Sequence, residues 1–146
     1  RDVGVSATAV YRHFPDKAAL LSALAGEGIE RLGVFQQAAA ASPQPGGFAA
    51  TGRAYVRWAL AHPALFRLIF IHSCPDGAAV FGTSTAARML QDHAAALTPD
   101  PAQAQRLVIQ AWSVVHGLAM LMLDGQLPAD DALIDRVIDM GTLFRV

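Results

Sequence analysis

Gly4-Val5-Ser6-Ala7-Thr8-Ala9-Val10-Tyr11-Arg12-His13-Phe14-Pro15-Asp16-Lys17-Ala18-Ala19-Leu20-Leu21 is the stretch on which the fold turns. Gly4 supplies the backbone freedom that a tight turn between two helices needs, and Val5 suits the angle between them. Ser6 is a good N-cap, its hydroxyl accepting from an otherwise orphan amide. Ala7, Thr8 and Ala9 make a first turn small enough to approach a base edge closely. Val10 and Phe14, four apart, share the inward face. Thr8, Tyr11, Arg12, His13 and Lys17 concentrate polar donors around this short helix and the start of the next. Asp16 caps that next helix, and Lys17 stands at its positive N-terminal end, a ready phosphate site. A recognition helix has these requirements: its N-terminus reads bases while flanking donors grip the backbone.

Beyond this motif, glycine and proline punctuate a chain of alanine- and leucine-rich segments. Breaks fall at Pro43 to Gly47, Pro63, Cys74 to Gly77, Thr98 to Pro101 and Asp124 to Pro128. Alanine is the best helix former, and no sustained period-two alternation occurs, so the fold class is all-α. Helices are expected over Ser6 to His13, Asp16 to about Ala41, Phe48 to His62, Pro63 to Ile71, about Ala79 to Leu97, about Pro101 to Leu123, and Asp130 to Phe144. The penultimate one is apolar nearly all round, with Val108, Ala111, Trp112, Val115, Ala119 and Met122 on one stripe and Leu107, Val114, Leu118 and Leu121 opposite. Such a helix needs cover on every side. A second subunit would supply it for a chain this small, with the final helix around Val137 as companion; the other reading is that both helices are simply core.

The 146 residues are 53% hydrophobic and 16% charged, with a formal net charge of −1. Wholesale disorder is excluded by that composition, and near-neutrality excludes binding nucleic acid by bulk charge. The single cysteine, Cys74, forms no internal disulfide and fits a reducing, cytoplasmic setting. The apolar stretch from Leu107 to Leu123 falls short of a bilayer span, and no signal peptide opens the chain, so no membrane partner is expected. The chain starts at Arg1, inside the motif and without a methionine, as expected of part of a longer protein. His62, His72, His93 and His116 lack ligand spacing and carry no metal or other cofactor on this reading. Neither a phosphate-cradling loop nor a nucleophilic triad is present, so an enzyme is not expected.

The run from Gly4 to Leu21, with Tyr-Arg-His-Phe-x-x-Lys directly after the turn, resembles the helix-turn-helix of the tetracycline-repressor (TetR) family. Trp112-Ser113-Val114-Val115-His116-Gly117 is similar to the Trp-x-x-x-His-Gly helix of one C-terminal subgroup, as is Ala61-His62-Pro63-Ala64-Leu65-Phe66-Arg67-Leu68. The resemblance implies a bacterial, homodimeric transcription factor, usually a repressor. Residues 1–21 would be the C-terminal part of the DNA-binding domain, and 22–146 the helical effector-binding and dimerisation domain. The family's first helix and most of its second would precede Arg1, so the stretch from Arg1 is expected not to bind an operator alone.

Carried over residue by residue, the resemblance turns Ser6, Ala7, Thr8, Ala9 and Arg12 towards a double-stranded DNA operator, where Thr8 and Arg12 can hydrogen-bond bases. It gives Thr8, Tyr11, His13 and Lys17 phosphates to hold. Tyr11 and His13 could instead pack against the neighbouring domain, and Arg12 could simply be solvated. Trp112 and His116 share a helix face, and Trp58, Phe66, Phe70 and Met89 come from helices able to surround it. These six are the candidate lining of a pocket for a small apolar effector, or else ordinary core. The rival reading is a helical ligand carrier or interaction domain without DNA binding.

Overall fold

A computed structural model describes residues 13–43, 47–71 and 80–139. Among them are seven helices and no strand: α1 (Lys17–Ala40), α2 (Phe48–Ala61), α3 (Pro63–Ile71), α4 (Val80–Thr83), α5 (Thr85–Leu97), α6 (Pro101–Leu123) and α7 (Asp131–Val137). The chain is all-α, as its composition and periodicity require. Of the helix expected over Ser6 to His13, all but His13 lies outside the described residues.

Local chemistry sets the starts. Asp16 Oδ1 accepts from the Ala19 amide at 2.8 Å and opens α1. Asp100 does the same for α6 through Ala102 at 3.0 Å, and Asp130 for α7 through Ala132 at 3.1 Å. Each such cap contributes about 1 kcal/mol. Pro63 and Pro101 stand at the first positions of α3 and α6, where a missing amide proton costs nothing.

Four helices close a ring. α1 packs on α2, α2 on α6, α6 on α5, and α5 back on α1. Ile29 and Leu32 from α1, Tyr55, Val56 and Ala59 from α2, Ala87 and Leu90 from α5, and Ala119 and Met122 from α6 fill the interior. Outside the ring, α3 covers α1 with Phe66 and Ile69 fully buried, and α7 lies on α2. Two glycines of α1 permit close helix contact. A Cβ on Gly28 would stand 2.9 Å from Leu65 Cδ1, and one on Gly33 would stand 2.8 Å from Thr85 Cβ.

Two boundaries correct the sequence reading. The helix expected from about Ala79 to Leu97 is α4 and α5, parted at Ser84. That residue adopts extended backbone and its Oγ accepts from the Ala87 amide at 3.1 Å, a local bond that competes with helix continuation. The last helix, expected to reach Phe144, stops at Val137. Ile138 leaves helical geometry, its carbonyl accepting from Arg53 Nη1 at 3.2 Å while its side chain is buried. The residues after Asp139 lie outside the described ones. Arg57 reinforces α7, reaching Asp131 at 2.7 Å and Asp135 at 3.0 Å.

Among the described residues α6 is the one helix long and apolar enough, by length and composition, to cross a bilayer. Leu107, Ala111, Leu118, Ala119 and Met122 bury one side of it against the ring. Its opposite side is open: Ile109 is 53% exposed and Leu121 46%. Between them lie Ser113 and Gly117, and a Cβ on Gly117 would meet only open space.

Candidate functional site

The ring encloses a cavity of about 40 Å³. α1 contributes Gln36, α2 Phe48 and Tyr55, α5 Met89 and Leu90, and α6 Trp112 and Val115, with Ile138 from the end of α7. Among the described residues, no lysine, arginine, histidine or carboxylate lines it. The volume admits a water or two but is far below the roughly 300–1,000 Å³ of a pocket that holds a drug-sized molecule. A larger guest enters only as Phe48, Met89 and Trp112 shift, and methionine is the most adaptable of core side chains.

Tyr55 anchors one wall. It is 1% exposed, and its hydroxyl lies 2.9 Å from His116 Nδ1 on α6. Burial pushes the tyrosine pKa upward and pushes the His116 pKa below the ordinary histidine value. Around the pair stand Phe66, edge-on to Tyr55 at 5.5 Å, and Phe70, 4.6 Å from His116 and 6.3 Å from Trp112. Phe48 stacks flat on His93 at 3.7 Å, and burial lowers that imidazole's pKa too. Both histidines near the cavity thus favour the neutral form.

Gln36 forms the polar corner. It is 7% exposed, and its Nε2 donates to the Thr51 carbonyl at 3.0 Å. Among the described residues nothing hydrogen-bonds Gln36 Oε1. A buried acceptor left unmet costs about 1–3 kcal/mol. Elsewhere, no group of three or more His, Cys, Asp or Glu side chains among the described residues could hold a metal ion.

Of the six residues expected to form a pocket, Met89 and Trp112 line the cavity. Phe66, Phe70 and His116 join Trp112 in the aromatic cluster around Tyr55, one layer behind it. Trp58 stands apart, buried and packed on His62 with ring centroids 4.9 Å apart. Of the expected DNA contacts, Ser6, Ala7, Thr8, Ala9, Tyr11 and Arg12 lie outside the described residues. His13 and Lys17 are exposed, on either side of the Asp16 cap. Gln36 and Tyr55 were not among the expected site residues. A signal for Gln36 does exist: Ala25, Ile29, Leu32 and Gln36 are all buried at helical spacing, and a glutamine in such a stripe needs a polar reason to be there.

Over residues 48–141 the chain matches the family described as Tetracyclin repressor-like, C-terminal domain. The chain belongs to that family. A solved structure described as a protein with unknown function from Rhodococcus sp. RHA1 is 32% identical, with a TM-score of 0.65; the alignment covers 94% of this chain and 75% of that one. No curated protein matches. The tetracyclin repressor-like region starts at Phe48, the first residue of α2, so the cavity walls from α2, α5 and α6 fall within it, while Gln36 on α1 precedes it. Membership sets the chain among transcriptional regulators whose helical domain is of the ligand-binding type.

Proposed function

We propose that this chain belongs to a cytoplasmic, homodimeric transcriptional repressor, not an enzyme, which a small, mainly apolar molecule releases from its double-stranded DNA operator. Residues 1–21 belong to the DNA-binding domain and 22–146 to the effector-binding and dimerisation domain. The observation that carries the reading is the cavity between α1, α2, α5 and α6, whose described lining residues carry no charge. α1 links this cavity to the DNA-binding segment. It runs unbroken from Lys17 past Gln36, a distance of about 28 Å along a straight helix. A guest that displaces Gln36 bears on one end of a rod whose other end carries Lys17, next in sequence to the DNA-binding segment. In a dimer, a small tilt of both rods changes the separation of the two recognition helices, which must match successive major grooves. The effector then works by binding one of two populations better than the other. The exposed Ile109–Leu121 face of α6, together with the final helix around Val137, is the surface we assign to the second subunit.

A thermal-stability screen of neutral and charged small molecules on the full chain tests the effector site. A ligand of the cavity stabilises the fold by about 2.7 kcal/mol at a hundredfold excess over its Kd. Met89→Trp, which fills the cavity, is expected to abolish that stabilisation. Hits confined to highly charged compounds, or hits indifferent to Met89→Trp, would contradict the assignment.

A further inference from the structure

We infer that the cavity selects an uncharged, largely aromatic guest bearing one hydrogen-bond donor, and that Gln36 Oε1 receives that donor; this rests on reading the cavity as the effector site. The orientation of the Gln36 amide is fixed by its neighbour. Its Nε2 lies 3.0 Å from the Thr51 carbonyl, and a flipped amide would set oxygen against oxygen there. Oε1 is therefore the acceptor that the cavity lining offers, and among the described residues no donor meets it. The hydroxyls of the lining are already committed. Thr51 Oγ1 donates to the Phe48 carbonyl at 2.6 Å, and the Tyr55 hydroxyl is paired with His116 Nδ1 at 2.9 Å. A guest that brings a donor meets Gln36 Oε1 and displaces any water there. The rest of the lining around it is hydrocarbon, thioether and aromatic surface from Phe48, Met89, Leu90, Ala111 and Val115. With no cation among the described lining residues, a carboxylate or phosphate would lose its hydration without compensation. The chemistry left is that of a phenol, an aromatic alcohol or an aryl amide.

Matched probes decide the point: p-propylphenol, its methyl ether p-propylanisole, and p-propylbenzoate, each titrated calorimetrically into the full chain. The expected result is that the phenol binds about tenfold or more tighter than the ether, and that the benzoate does not compete. Gln36→Met, close in volume and without the amide, should bring the phenol-to-ether ratio near one while leaving the ether's own affinity little changed. Should that variant fail to fold, the wild-type ratio decides alone. Equal binding of phenol and ether to the wild type would mean that solvent satisfies Oε1, overturning this inference while the effector site stands. Benzoate binding as tight as the phenol would overturn the uncharged class. Absence of binding by all three, with no shift in thermal stability, would remove the effector site itself and this inference with it.

Discussion

Tyr55 and His116 show how far apart in sequence two partners of one bond can lie. The Trp112–His116 pairing on one helix face was legible from their four-residue spacing, but the hydroxyl that pairs with His116 is on α2, 61 positions before it. Only tertiary packing brings it there. A pH dependence follows from this burial. The His116 pKa is lowered in the folded chain, so the unfolded chain binds more protons as the pH drops. Its contribution to stability is present above the ordinary histidine pKa near 6.5 and is lost as the pH falls through the lower, folded value. His93 acts in the same direction. Midpoints of urea unfolding should therefore fall between about pH 7.5 and about pH 5.5. His116→Gln, which does not titrate and can still accept from Tyr55, should flatten part of that slope. An unchanged slope in the variant would mean that His116 is not the group responsible. Tyr55→Phe leaves the partly buried His116 without its hydroxyl partner and should cost about 1–3 kcal/mol in the same measurement.

At the scale of elements, proline, glycine and capping residues mark most helix boundaries in the sequence itself. Asp16, Pro63 and Pro101 mark helix starts by chemistry that operates within one turn. The two departures have different causes, a local cap at Ser84 and a tertiary demand at Ile138. Ser84 interrupts an alanine-rich run because its hydroxyl caps α5, and Ile138 abandons α7 because Arg53 claims its carbonyl and the cavity claims its side chain. The glycines of α1 separate local from tertiary effects. Gly26 has no neighbour within 4 Å of an added Cβ, so Gly26→Ala should stabilise by about 0.5–1 kcal/mol through helix propensity alone. Gly33→Ala gains the same propensity but drives its Cβ into Thr85 Cβ at 2.8 Å and the Ala86 backbone nitrogen at 3.2 Å. Overpacking of that kind costs about 1–3 kcal/mol, so the net effect should be destabilising. Thermal midpoints of the two variants should move in opposite directions, and a stabilised Gly33→Ala would show that α1 and α5 are not held this close.

For the whole molecule, the apolar character of α6 was legible, but which side faces the ring was not, because both stripes are equally apolar in sequence. The structure buries Leu107, Ala111 and Leu118 and leaves Ile109 and Leu121 open. If a second subunit covers that open face, Leu121→Glu desolvates a charge in the seam and should give monomers in sedimentation at micromolar concentration. A wild-type protein that already sediments as a monomer would contradict the dimer. At the far end of α1, Lys17→Ala should weaken operator binding about equally on all sequences and lower the salt slope by about one unit, whereas an unchanged slope would remove Lys17 from the phosphate contacts. The account stands or falls on coupling between the cavity and the DNA. Its most direct test is the fluorescence anisotropy of labelled operator with the full protein, with and without a saturating cavity ligand taken from the stability screen. The account predicts that the ligand weakens operator binding about tenfold or more, and that Met89→Trp binds operator but no longer responds. Operator affinity that stays the same at saturating ligand would contradict it.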